Sequence, residues 1–449
     1  MKPLNILYLN SHDTGRCIQP LGFPVAMPNL TRFASQGILF RNNFCVAPTC
    51  SPSRAALVTG CYPHENGMLG LAHRGFRLND YRQHWIHALH AAGYTSVLAG
   101  AQHIARQPDW SSDWRTIGYH RDVPGDKYTA DDRLISVLEN PPAQPFYLES
   151  GFTETHREFP ALATLANDPQ FDPDHTAPLP PLPDTPGVRQ DVARYMASAR
   201  TLDRKWGRVF DALDRTGLSA NTLVICTTDH GIAFPRMKCN LQDTGTGTFL
   251  IIRGPQSFAG GAGAFTGGKV IDAMTTHLDL FPTVCEVLGI APPAWLRGKS
   301  LLPLVRGETA RLHEAVFGEI NFHAVAEPVR CVRTDRWKYI RRYDGRTTPV
   351  LPNCDDGESK TAWLEAGWAT RPFATEQLYD LAFDPVETDN RAADPACAEV
   401  LQDMRGRLER WMRETNDPLT KGPLIPPKGA ILNDANGRSP QEPTLPPVA

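Results

Sequence analysis

Short apolar runs alternate with stretches of three- and four-residue hydrophobic spacing over the first two thirds of the chain. Residues 4–9, 37–40, 94–99, 146–149, 222–226 and 249–252 are apolar runs bounded by Gly, Pro or polar clusters, and they read as strands. Such runs, alternating with helical patterns, predict a large, mostly parallel sheet sandwiched by helices, an α/β architecture. The clearest helix is expected over 190–216, where Val192, Tyr195, Ala199, Leu202, Trp206, Val209 and Leu213 form one stripe and Gly217 is the stop. That stripe is core packing. A second helix is expected over 277–288, ended by Gly289, with Pro282 either kinking it or lying in its first turn.

From about residue 325 the texture changes. Residues 329–342 hold two alternating segments around a polar turn, the pattern of an antiparallel hairpin. A helical stretch over 396–414 follows, then a tail from Asn416 with eight prolines, expected either to lie extended over the surface or to wander. The chain therefore divides into a larger α/β domain over 1–325 and a smaller α+β domain, antiparallel sheet plus helix with the Pro-rich tail, over 326–449.

Composition narrows the function classes. With 46 Lys+Arg against 49 Asp+Glu among 449 residues, the chain is neither a broadly basic nucleic-acid binder nor an acidic solvating protein. No run of about 18 apolar residues occurs, so no membrane span is expected. The first strand follows directly on Met1-Lys2-Pro3, which leaves no room for a signal peptide and sets the expectation of a cytoplasmic protein. Ten cysteines are too sparse for a disulfide scaffold, and none stands in a Cys-x-x-Cys pair.

In open α/β sheets, ligands sit at the carboxyl ends of the strands. Here His12 and Asp13 follow the first strand, His103 the third, His156 the fourth, and Asp229-His230 the fifth. In the segment from Cys50 to Gly60, Ser51 suits an N-cap, Pro52 the first helical position and Gly60 the stop, so Cys50 is expected at the positive end of a short helix. Free N–H groups there would stabilise an oxyanion, and Arg54, one turn in, adds a cation.

Cys50-Ser51-Pro52-Ser53-Arg54, followed by Leu57-Val58-Thr59-Gly60, resembles the signature of the sulfatase family within the alkaline-phosphatase-like superfamily. The resemblance continues through Pro63 to Met68, Thr228-Asp229-His230-Gly231, Leu278 to Thr283, Gly298 to Leu304 and Leu378 to Leu381, and within the family is greatest to sulfamidases, which cleave N-sulfate from glucosamine. It implies that a maturation enzyme converts Cys50 to formylglycine, whose hydrated aldehyde attacks sulfur and then expels sulfate as the aldehyde re-forms. By the same resemblance Asp13 and Asp229, with His230 and His12 beside them, hold one divalent cation. Arg54 anchors the diol, His103 acts on its proton, His156 binds sulfate or protonates the leaving group, and Lys238 neutralises the transferred anion. Gln102, Arg157 and His64 are candidate substrate contacts, and Glu319 and His323 stand evenly between substrate contact and structure.

Three departures from the family pattern bear on chemistry. His12-Asp13 stands where two aspartates are usual, and Asp229-His230 where many members have Asp-Asn. Imidazoles soften an oxygen-rich site, moving preference from the family's calcium toward manganese or zinc. Ala101 replaces the usual lysine of Gly-Lys-x-His, leaving Gln102, Arg157 or Lys238 to compensate. The leading function is hydrolysis of a sulfate ester or sulfamate, of a small saccharide or an aryl sulfate. Its rivals are a phosphonate monoester or phosphodiester hydrolase on the same scaffold, and a degenerate binder of sulfated glycans. The tail is long enough to reach a neighbouring subunit of a homo-oligomer.

Overall fold

The computed structural model describes residues 3–105, 112–161, 171–256, 258 and 261–449. Nine strands build the first sheet: β1 (Asn5–Ser11), β2 (Ile38–Phe44), β3 (Thr95–Leu98), β4 (Arg121–Asp122), β5 (Phe146–Gly151), β6 (Thr222–Thr228), β7 (Gly247–Arg253), β8 (Lys269–Ile271) and β9 (Thr275–Thr276). Their order is β4-β3-β5-β1-β6-β7-β2-β8, with β9 also on β2. Strand β7 runs antiparallel to β6 and β2, and the other pairs are parallel.

The two-residue period of a strand sorts these apolar runs onto two faces. Leu7, Leu9, Leu148, Val224, Phe249 and Ile251 pack into one core with Trp206, Val209 and Leu213 of the Pro186–Arg215 helix. Ile6, Tyr8, Tyr147, Leu223, Ile225 and Leu250 pack into the other, against Leu57 and Val58 of the Cys50–Thr59 helix, Trp85 and Leu89 of the Trp85–Ala91 helix, and Phe281 and Val284 of the Leu280–Leu288 helix. β1 is buried along its whole length, which is why its sequence is a run rather than an alternation.

The longest helix starts at Pro186, ahead of the expected 190, because Thr185 caps it by accepting from the Val188 N–H at 3.3 Å and Pro186 fits its first position. The expected 277–288 helix is a 3₁₀ turn, His277–Asp279, leading into Leu280–Leu288. Pro282 lies in its first turn, where its missing N–H costs nothing.

The second sheet is antiparallel, in the order β10 (Val316–Phe322), β11 (Ala326–Arg333), β12 (Trp337–Arg342) and β13 (Glu376–Asp380). The chain thus enters this sheet at β10, ahead of the expected division at 325. One face packs Val332, Tyr339 and Leu378 under Met404, Leu408 and Trp411 of the Ala398–Glu414 helix. The other places Ile320, Val329, Cys331 and Ile340 against Leu241 of the first unit. The tail does return along the surface: the Ile431 N–H donates to the Arg74 carbonyl at 3.0 Å, and Arg74 Nη1 donates to Asn433 Oδ1 at 2.9 Å.

Candidate active site

The Cys50–Thr59 helix begins two residues earlier than its sequence suggests, with Thr49 in the capping position at φ −138° and ψ 144°. Cys50 is therefore the first helical residue, and Pro52 the third, still among the four positions whose N–H has no intrahelical partner. Ser51 is free for another task, and its Oγ donates to the His103 carbonyl at 2.6 Å and accepts from the Ala72 N–H at 3.0 Å. Gly60 ends the helix at φ 68°, and a Cβ there would lie 2.5 Å from Leu296 Cδ2.

The helix start abuts the carboxyl ends of β1 and β6. Ser53 Oγ donates to the Asp229 carbonyl at 2.5 Å. Arg54 donates to Asp229 Oδ2 from Nε at 3.2 Å and lies 3.1 Å from it at Nη2, and Nη2 also donates to the Ser11 carbonyl at 3.1 Å. Cys50 Sγ lies 3.4 Å from His230 Nε2. Burial pushes the Cys50 thiol well above its ordinary pKa despite the nearby Lys238 cation, so the unmodified side chain is a poor nucleophile.

Asp13 and Asp229 face each other across this point, both side chains wholly buried. The Asp13 N–H donates to Asp229 Oδ1 at 2.8 Å, which the left-handed φ of 54° at Asp13 allows. His12 Nδ1 is 3.2 Å from both Asp13 Oδ1 and Asp229 Oδ2, and His230 Nε2 is 3.4 Å from Asp13 Oδ1 and 3.7 Å from Asp229 Oδ2. Burial acts to raise both carboxyl pKa values, but cations and imidazoles outweigh it: Lys238, His156 and His230 hold Asp13 well below the usual range, and His230, Arg54 and His12 hold Asp229 at about 2. Burial, with Arg54 assisting, lowers His12 to about 3, so its ring stays neutral and keeps a lone pair. Asp13, Cys50, Asp229 and His230 each offer a donor atom within 4.8 Å of one another, as do His12, Asp13, Cys50 and His156. Ionised buried carboxylates beside neutral imidazole are the donor chemistry of a divalent cation, and these residues fit one.

Lys238 bridges two carboxylates, its Nζ lying 2.9 Å from Asp13 Oδ2 and 2.9 Å from Asp355 Oδ2. Asp355 lies in the segment between β12 and β13 and has no sequence motif to announce it. Burial opposes its charge, but Lys238 and His156 hold its carboxyl at about 2. His323, from the β10–β11 turn, is buried in the same neighbourhood and pushed well below its ordinary pKa by burial and by Lys238. The His156 ring stands edge-on to His12 at 5.0 Å, and His103, at φ 58°, has its Nε2 3.2 Å from His73 Nδ1. His73 carries no strand-end signal, and sequence spacing alone leaves it out.

The structure therefore brings together Cys50, Arg54, Asp13, Asp229, His12, His230 and Lys238, with His103 and His156 on a cleft of about 740 Å³ that Ala101, Lys127 and Lys205 also line. It uses the three expected substrate contacts differently. Gln102 spends its amide on its own turn, accepting from the Ile104 and Ala105 N–H groups at 2.6 and 2.8 Å. Arg157 lines the cleft, but its guanidinium is paired with Asp191 at 2.9 and 2.6 Å. His64, with a side chain 1% exposed, is bonded to Glu319 in a buried cluster with Arg330 and Asp417. Of the three residues proposed to replace the missing lysine at Ala101, Lys238 is the one whose charged group contacts the carboxylates of the site.

The family model "Sulfatase" matches residues 5–290, and "N-sulphoglucosamine sulphohydrolase, C-terminal" matches 244–353. The human N-sulphoglucosamine sulphohydrolase is 29% identical over 89% of this chain and 88% of its own length. Among solved structures, a 2-O GAG sulfatase superposes with a TM-score of 0.71 at 21% identity, covering 100% of this chain and 99% of the other. The phosphonate monoester hydrolase of Agrobacterium radiobacter does so with a TM-score of 0.69 at 20% identity, covering 92% and 96%. These two share the fold. With the family model spanning most of the chain and its cysteine, arginine and carboxylates gathered at one helix start, the chain belongs to the sulfatase family and is a sulfuric ester hydrolase.

Proposed function

We propose that this hydrolase uses formylglycine at position 50 and one divalent cation to cleave the sulfate ester or N-sulfate of a small saccharide. The observation that carries the reading is Cys50 at the helix start, 3.4 Å from His230, with Asp13, Asp229 and Lys238 around it. Asp13, Asp229, His230 and His12 would hold the cation, which supplies Lewis-acid polarisation of the sulfuryl oxygens. As formylglycine, residue 50 supplies a hydroxyl nucleophile and an aldehyde that re-forms as sulfate departs.

The remaining work falls to the chain's own groups. The first-turn N–H groups and Arg54 orient the residue-50 side chain, and Arg54 is itself fixed by Asp229. Lys238 offsets the negative charge of the transferred group. His103 and His156 line the cleft, and in this reading they take a proton from the nucleophile and return one to the leaving oxygen or nitrogen. Similarity to the human sulphohydrolase and to its C-terminal family model supports an N-sulfated glucosamine unit as substrate.

The test is turnover of 4-nitrophenyl sulfate and of N-sulfoglucosamine by protein co-produced with a formylglycine-generating enzyme, with peptide mass analysis at residue 50. Conversion of the thiol together with turnover abolished by a chelator supports the reading; an unconverted Cys50 in active protein overturns it. His230 at the second carboxylate favours one rival, phosphonate monoester hydrolysis, and faster turnover of an aryl phosphonate than of an aryl sulfate would establish that rival instead.

A further inference from the structure

Two of the stretches that match the family pattern, Leu278 to Thr283 and Gly298 to Leu304, contribute no side chain to the centre described above, yet they hold the turn that carries His277. Asp279 Oδ2 accepts from the Thr276 N–H at 2.7 Å, and its Oδ1 accepts from the Lys299 N–H at 2.8 Å. Gly298 comes so close that a Cβ there would lie 2.0 Å from the Leu278 carbonyl oxygen. The turn is thereby fixed at the end of β9, and His277 is wholly buried.

His277 stands in the middle of a chain of buried hydrogen bonds. Asn43 Nδ2, from β2, donates to Thr248 Oγ1 of β7 at 2.7 Å, and Thr248 Oγ1 lies 3.2 Å from His277 Nε2. His277 Nδ1 lies 3.5 Å from Ser53 Oγ, which donates to the Asp229 carbonyl at 2.5 Å. Both ends fix the direction of this chain. Thr275 Oγ1 donates to Asn43 Oδ1 at 3.0 Å, so the amide nitrogen faces Thr248 and can only donate, while the Asp229 carbonyl can only accept. Thr248 therefore gives its proton to Nε2, and the network assigns the other ring proton to Nδ1, facing Ser53. Burial lowers His277 to about 3 against the pull of Asp229, which keeps the ring in the form with one donor and one acceptor.

The chain ends where two parts of the centre meet. Ser53 lies one turn into the helix that starts at Cys50, next to Arg54, and Asp229 follows directly on β6. The Ser53 bond to the Asp229 carbonyl therefore ties the nucleophile's helix to the backbone of a candidate cation ligand. Without His277 behind it, the Ser53 hydroxyl loses the donor that fixes its orientation. Loss of an outer partner of this kind typically costs about 10–100-fold in metal affinity or activity.

We propose that His277 is a positioning residue: its ring orients Ser53, and Ser53 in turn fixes the spacing between residue 50 on its helix and the Asp229–His230 pair at the end of β6. The inference rests on the cation reading given above, because that pair's hold on a cation is what the spacing governs.

The test measures manganese and calcium binding to the chelator-stripped full chain by calorimetry, beside initial rates with 4-nitrophenyl sulfate at saturating cation. His277→Ala is expected to weaken binding of the preferred cation about tenfold and to lower kcat about tenfold or more, with KM little changed. Ser53→Ala should do the same, and the Ser53→Ala/His277→Ala double variant should be no worse than the more damaged single one, since both act through one contact. His277→Gln, whose amide can donate to Ser53 and accept from Thr248, should stay within about threefold of the wild type in both measurements. Cation affinity within about twofold of the wild type in folded His277→Ala, or single-variant effects that add in the double, overturns the proposal. If His277→Ala does not fold, Ser53→Ala and His277→Gln are read instead, and a Ser53→Ala protein indistinguishable from the wild type overturns it equally. A wild type that binds neither cation overturns this inference together with the cation reading, whereas wild-type binding with unaffected variants falls on this inference alone.

Discussion

Lys238 is the residue on which the electrostatics of the site turn, because its single ammonium serves two carboxylates, the buried Asp13 and the partly buried Asp355. Lys238→Ala should lower kcat/KM for an aryl sulfate by about 10²–10³-fold, the usual effect of removing one charge-stabilising donor. A fall under tenfold in a folded variant would remove Lys238 from the working groups. Asp355→Asn should act the other way on binding: deleting a negative charge beside an anion site is expected to lower KM by about tenfold, read from initial rates at low salt. Cys50→Ala is expected to cost at least about 10³-fold in kcat, as loss of a nucleophile does elsewhere. Asp13 was legible in the sequence because it follows a strand whose end the periodicity marks, Cys50 because of its helix-start motif, and Lys238 only through the resemblance to the sulfatase family. Asp355 was not, since only the packing of the second sheet brings its segment to Lys238. Gln102 and His64 sit beside the right motifs, yet backbone N–H groups and Glu319 claim their polar atoms, and local sequence does not show that.

The Trp85–Ala91 helix offers a pH test away from the catalytic centre. His84 caps it, its Nδ1 accepting from the Ile86 N–H at 3.1 Å, and burial together with His87 and His90 holds its pKa well below 6.5. His90, bonded to Ser96 and packed on His120, is lowered to about 4, again mainly by burial. Depressed histidine values mean that the unfolded chain takes up protons first. Stability from these groups is complete above about pH 6.5 and is lost as pH falls from there toward 4. Melting curves between pH 7.5 and 5 should show a falling Tm, and His84→Asn, which keeps a capping acceptor and removes the titration, should flatten that slope. An unchanged slope would place the proton uptake elsewhere. Helices of this kind were less legible than strands. Seven residues give too short a stripe to read, and the start of the Cys50 helix was displaced because Thr49 caps it by backbone conformation while Ser51, the better capping type, is spent on His103.

At the scale of the molecule, the two sheets are fastened by a buried charge cluster. Asp243, at the end of the loop that carries Lys238, pairs with Arg333 of β11 at 2.9 Å and Lys338 of β12 at 2.6 Å. All three are buried, so neither cation has water to fall back on. Asp243→Asn keeps the shape and removes the charge, leaving two buried cations facing an amide, and loss of one partner of a buried pair costs about 3–5 kcal/mol. The exposed Arg32–Asp211 pair supplies the control, since side chains 51% and 59% exposed predict about 0–1 kcal/mol for Asp211→Asn. Urea unfolding followed by tryptophan fluorescence and by residual activity should show the Asp243→Asn midpoint moved well below that of Asp211→Asn, with both signals lost together. Asp355 and His323 reach the catalytic centre only while the second sheet stays docked, so undocking and inactivation are one event. Activity that outlasted the fluorescence change in Asp243→Asn would mean that the first unit holds its site without the second sheet, and the place of Asp355 in the site would then have to be given up.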